Sequence, residues 1–102
     1  MNELIKLIAV EYGSDDIGND VASPVERQVF CTVDSISQSE FFAAAQNGYK
    51  AEYRFKVWTN EYNGETKVKY GEKEYFVYRT YTKDDYTDLY CRIENEEGES
   101  QK

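Results

Sequence analysis

The chain contains no histidine, one proline, two cysteines and no apolar run near the roughly 20 residues that span a bilayer. Without histidine it lacks the commonest general base and the commonest metal ligand. No serine sits in a nucleophile elbow, no glycine-rich loop precedes a helix, and no carboxylate pair is fixed on a rigid apolar frame. No enzyme and no cofactor are therefore expected. Cys31 and Cys91 lie in apolar strand patterns with no histidine to join them in a metal site, and are expected as reduced core thiols. A single proline with six glycines argues against a linker or a disordered chain. The N-terminus shows neither a basic region nor a cleavage site, so a cytoplasmic location and no membrane are expected.

What is present is aromatic and acidic. Ten tyrosines bring the aromatic share to 16% of 102 residues, a length that suits one domain, expected over 1–93. A chain of this size buries only about two thirds of its unfolded surface, so assembly would help it. The net charge of −8 is uneven. Residues 1–49 hold two basic and eight acidic side chains, residues 50–83 eight and five, and residues 84–102 two and seven. Such a chain has no general attraction for a phosphate backbone, but copies can meet positive face to negative face.

In chain order, residues 4–12 are apolar on both faces of a strand, as in a central or covered strand. Residues 13–24 are dense in turn formers and carboxylates and are expected as a polar loop, with Asp15, Asp16 and Asp20. Those aspartates resemble a calcium loop only faintly, lacking the alternating oxygen ligands and the final bidentate glutamate, so no metal is expected. Residues 25–36 alternate, with Val29, Cys31 and Val33 on one face and Phe30 the exception on the other. A third strand is expected over 53–62, with Tyr53, Phe55 and Val57 inward and Arg54, Lys56 and Trp58 outward. Asn63-Gly64 reads as a hairpin turn into a strand at 66–70, which would place Arg54, Lys56, Lys67 and Lys69 on one shared face. Residues 75–81 are aromatic on both faces, Asp84-Asp85 marks a turn, and Leu89, Cys91 and Ile93 share one side of a last strand. Residues 94–102 read as a frayed acidic tail. The expected fold is mainly β: a six-stranded antiparallel barrel or rolled sandwich with one short helix between the second and third strands.

That helix spans 37–48. Ser37 and Glu40 fit a capping box, in which the glutamate reaches back to the cap amide. Three alanines favour the helix, and Asn47-Gly48 ends it. At about ten residues it is too short to stand alone, so Phe41 and Phe42 need tertiary or intermolecular partners. Trp58, on the charged side of its strand, is an interface candidate.

The order of Ser35-Ile36-Ser37-Gln38-Ser39-Glu40-Phe41-Phe42, Ala45-Gln46, Gly48, Glu61-Tyr62-Asn63-Gly64-Glu65, residues 75–81 and Leu89-Tyr90-Cys91 resembles the head-tail joining proteins of long-tailed phages and prophages, also called head closure, stopper or adaptor proteins. The resemblance covers nearly the whole chain and implies a non-catalytic β-barrel of the virion, made in the host cytoplasm. It implies a ring, commonly of twelve subunits, between the portal with its adaptor ring and the tail, through which DNA passes without sequence-specific binding. It makes residues 37–51, through Ser37, Glu40, Phe41, Phe42, Ala45, Gln46 and Gly48, a candidate channel or gate segment. The plainer alternative is that Phe41 and Phe42 cap one barrel end as core. The charge pattern makes Arg54, Lys56, Trp58, Lys67 and Lys69, facing Asp15, Asp16 and Asp20 of a neighbour, a candidate subunit interface. Two other functions compete: an acidic DNA-mimic inhibitor, against which the basic middle third counts, and a small-barrel module stacking single-stranded nucleic acid on Trp58 and its neighbours.

Overall fold

The computed structural model describes residues 2–14 and 20–93, and the side chains of residues 2–10 and 23–93. Alternation of apolar and polar residues gives strands β1 (Glu3–Ser14), β2 (Asp20–Ser35), β3 (Ala51–Trp58), β4 (Lys67–Tyr70), β5 (Lys73–Lys83) and β6 (Tyr86–Ile93), with helix α1 (Gln38–Gln46) between β2 and β3. Every pairing is antiparallel, and the strands close into the expected six-stranded barrel, in the order β1-β2-β3-β6-β5-β4. Closure leaves no continuous open edge on the barrel itself.

The inward residues form one core. Ile5, Leu7, Val29, Cys31, Phe55, Val57, Val68, Tyr75, Leu89 and Cys91 are buried in it, with Tyr53, Tyr62 and Tyr70 packed against it. Phe55 is its centre, its ring 5.5–6.2 Å from those of Tyr53, Tyr70 and Tyr75, within the range of favourable aromatic contact. Both cysteines are free and fully buried, and burial pushes the Cys31 thiol up to about 12 and the Cys91 thiol well above its usual range.

Three expectations are corrected. The loop expected at 13–24 is largely strand: β1 runs to Ser14 and β2 starts at Asp20, with Gly13 opposite Val21 and Val10 opposite Pro24. Only Lys6–Ile8 of β1 also pair with β4, and only Thr32–Ser35 of β2 with β3, so residues 9–14 and 20–25 form a two-stranded ribbon beyond the barrel. Proline is tolerated there because β2 has a strand partner on one edge only at this point. Asp15 and Asp16, and the acidic tail at 94–102, lie outside the described residues, as does the side chain of Asp20.

The second correction is topological. Asn63-Gly64 does not join paired strands, since β3 neighbours β2 and β6 while β4 neighbours β1 and β5. Gly64 does adopt a left-handed φ of +84°, as a turn glycine can. The chain leaves β3 at Trp58, makes a 3-10 turn at Thr59–Glu61 rather than extending to residue 62, and crosses the barrel end. There Glu65 is buried and accepts from Arg27 Nη2 at 2.7 Å and from the Asn63 amide at 2.8 Å, while Tyr62 Oη donates to the Glu65 carbonyl at 2.6 Å. The connection is a plug, and its buried polar groups hold it in place. It follows, as the third correction, that the basic strip is divided: Arg54 and Lys56 lie on one wall, Lys67 and Lys69 on another.

Candidate functional site

Helix α1 is specified at both ends by its own sequence. Ser37 Oγ accepts from the Glu40 amide at 3.2 Å, as a serine cap does. At the other end the Tyr49 amide donates to Ala44 O and the Gly48 amide to Ala45 O, both at 3.0 Å, with Gly48 at φ +83°. That is the Schellman closure, which needs a residue without a Cβ penalty at this φ.

Glu40 does not complete the expected capping box. Its carboxylate turns to the barrel wall, where it accepts from Tyr78 Oη at 2.7 Å, from Arg79 Nε at 3.2 Å, and from Arg79 Nη2. A register shift between Val77 and Arg79 on β5 makes this possible, because an unpaired residue lets two consecutive side chains reach one carboxylate. The Arg79 hydrogen bonds hold the Glu40 carboxyl below its usual range against the opposing effect of burial, with Tyr78 helping. Burial, and then the hydrogen bond to Glu40, push the Tyr78 phenol well above its usual range.

Beyond this latch α1 touches the barrel little. Ala44 is its one buried residue, and Tyr49, just after it, stacks on Tyr78 with ring centroids 5.2 Å apart. A cleft of about 340 Å³ remains between helix and wall, lined by Glu40, Ala43, Ala44, Asn47, Tyr49, Tyr78 and Arg79. Phe41 and Phe42 point away from it. They meet each other edge to face at 6.0 Å and are 39% and 56% exposed, so they do not cap the core. Ala45, Gln46 and Gly48 are exposed beside them.

The outer wall of β2, β3, β6 and β5 carries charged and aromatic side chains together along its length. Nearest α1, Arg54 pairs with Asp34 at 3.2 Å, and Arg79 lies 3.9 Å from the Tyr90 ring centroid. At the other end Trp58 stacks on Tyr86, centroids 4.6 Å apart, and Lys56 lies 5.5 Å from the Tyr86 centroid. The structure thus keeps Arg54, Lys56 and Trp58 together and separates them from Lys67 and Lys69.

Sequence reasoning found the helix, its caps and Trp58. It missed Tyr78, Arg79, Arg27 and Glu65. The aromatic run at 75–81 hinted at the first pair; nothing local marked the second. Among the described residues no group of histidine, cysteine, aspartate or glutamate is placed to hold a metal ion, and no helix is long and apolar enough to cross a membrane. No family model matches the chain, and no curated protein matches it either.

Proposed function

We propose that the chain is a structural protein that joins a DNA-filled phage head to its tail, assembling as a ring on the portal or its adaptor, with α1 presented to the DNA channel or to a neighbouring protein. The observation that carries this reading is the outward display of Phe41 and Phe42 on a helix that has almost no core of its own. Two adjacent exposed phenylalanines on a short element are poorly used by a monomer and well used at an interface.

The latch gives α1 the property a channel segment needs. The helix is complete through its caps, yet it is held by one carboxylate, one alanine and one stacked tyrosine. An element so held has a second, released arrangement at small cost. The acidic-mimic reading is less well supported, because Asp34, Glu26, Glu40, Glu65 and Glu74 are each paired with a cation of the same chain. The stacking reading is weakened likewise: Tyr86 and Tyr90 already carry the chain's own Lys56 and Arg79.

Particles assembled without the chain are expected to appear in electron micrographs as DNA-filled heads and separate tails. Phe41→Asp with Phe42→Asp should reproduce that defect while the isolated chain keeps its melting temperature. Infectious particles lacking the chain would overturn the joining role; normal joining by the double variant would overturn the role of α1.

A further inference from the structure

We infer that the chain associates head to tail with copies of itself, an apolar and basic patch at Leu4 and Phe30 of one copy entering the aromatic and acidic cleft at Trp58 of the next. Leu4 and Phe30 are opposite each other on β1 and β2, 44% and 54% exposed, on the barrel's outer face. Beside them stand Lys6, which faces Lys69 across the β1-β4 pairing, and Gln28. Lys6 is loosely paired with Glu26 at 3.6 Å, and Lys69 has no ion pair among the described residues.

The complement lies on another side of the barrel. Trp58, 41% exposed, borders a cleft of about 460 Å³ with Thr59, Asn60, Asp84 and Asp85. Its inner wall is stiff: Trp58 stacks on Tyr86, and the Thr59 amide donates to Asp85 O at 2.7 Å. Neither aspartate has an ion pair among the described residues, although Asp84 holds a left-handed φ of +57° that keeps the turn in place. Asp85 and Asp84 next to exposed indole suit an ammonium group together with an apolar side chain. Lys69 with Leu4, which line one hollow together with Lys6 and Gln28, supplies that pair, with Phe30 opposite Leu4 enlarging its apolar side, and a basic patch meeting an acidic cleft is what charge complementarity asks of a contact.

Patch and cleft sit on different strands, β1-β2 and β3 with the β5-β6 turn, so one copy offers both at once. Such a contact is heterologous and extends beyond a dimer into a ring or a filament. The inference deepens the ring reading above by naming its two surfaces. It is tested on the purified chain alone, so failure of joining in particles and failure of this contact are separate results.

Trp58 is the sole tryptophan, and its emission reports the cleft directly. Sedimentation velocity of the unaltered chain should show species larger than dimers as concentration rises, with Trp58 emission moving to the blue and becoming harder to quench with acrylamide. A chain that stays monomeric, stops at dimers, or associates with Trp58 quenching unchanged overturns the inference. Asp84→Asn with Asp85→Lys spoils the cleft, and Phe30→Asp with Lys69→Glu spoils the patch. Each is expected to weaken association at least about tenfold alone, while their equimolar mixture forms 1:1 pairs and stops there. Either variant associating as the unaltered chain does, or a folded mixture that stays monomeric, also overturns it. Circular dichroism establishes folding, and the quenching series on the unaltered chain decides the matter if a variant does not fold.

Discussion

Glu65 is the one carboxylate that the described residues bury, and its surroundings explain why it can be there. Burial pushes its carboxyl up, but Arg27 and the Asn63 amide outweigh that and leave it below the usual range. A depressed folded pKa means that its stabilisation is fully present above the unfolded value of 4.5 and is lost as pH falls through the folded one. Glu65→Ala is expected to cost about 2–4 kcal/mol in urea denaturation at neutral pH, since Arg27 and the connection over the barrel end lose their shared acceptor. Arg27→Ala should cost at least as much, because it leaves the carboxylate buried without its cation. Its deficit relative to the unaltered chain should shrink in acid, where the carboxyl is protonated in both proteins.

At the scale of the element, α1 is fully specified locally and weakly attached globally. The Glu40 carboxyl, like that of Glu65, is depressed, here chiefly by the Arg79 hydrogen bonds. The latch is therefore expected to hold fully above the unfolded value of about 4.5 and to release as pH falls through the lower folded one. Protection of the amides across residues 41–46, taken relative to their slower intrinsic exchange in acid, should fall before that of the barrel strands. At neutral pH Glu40→Gln should loosen the helix by only about 0.5–1 kcal/mol, because the Arg79 guanidinium is half exposed. Exchange in α1 that tracks global unfolding at every pH would show that no separate release exists. The helix ends were legible because Ser37 and Gly48 act on amides and carbonyls within a few residues of themselves. The latch was not, because Glu40 meets residues nearly forty positions away, and it meets two of them through a strand irregularity that composition does not announce.

Across the whole molecule, stability is expected to lie in the barrel and not in the helix. Phe55→Ala removes the central core ring and should cost about 3–5 kcal/mol. Phe41→Ala or Phe42→Ala should each change the denaturation free energy by less than about 1 kcal/mol, as is usual for exposed positions. The opposite ordering would make α1 part of the core. Closure of the barrel also explains why a small acidic chain tolerates so much aromatic surface: the inward tyrosines fill one core, and Tyr49, Tyr78, Tyr86 and Tyr90 on the outside are stacked or covered by cations.

Alternation of side chains along each strand, the turn at Asp84-Asp85, and the capped helix were all determined by the sequence itself, because each depends on neighbours a few residues apart. The number of strands, and a small antiparallel barrel or rolled sandwich as the class, followed from them. Which strand lies beside which was decided only by tertiary structure. Asn63-Gly64 offers a hairpin, but the connection instead carries Tyr62 and Glu65 across the barrel end, where burial of the tyrosine and the Arg27 ion pair outweigh a local turn preference. The same long-range choice split Lys67 and Lys69 from Arg54 and Lys56, extended the β1-β2 ribbon into the expected loop as far as Ser14 and Asp20, and turned Phe41 and Phe42 outward. Local patterns set which face of each strand is apolar; only the closed barrel could say what each face would meet.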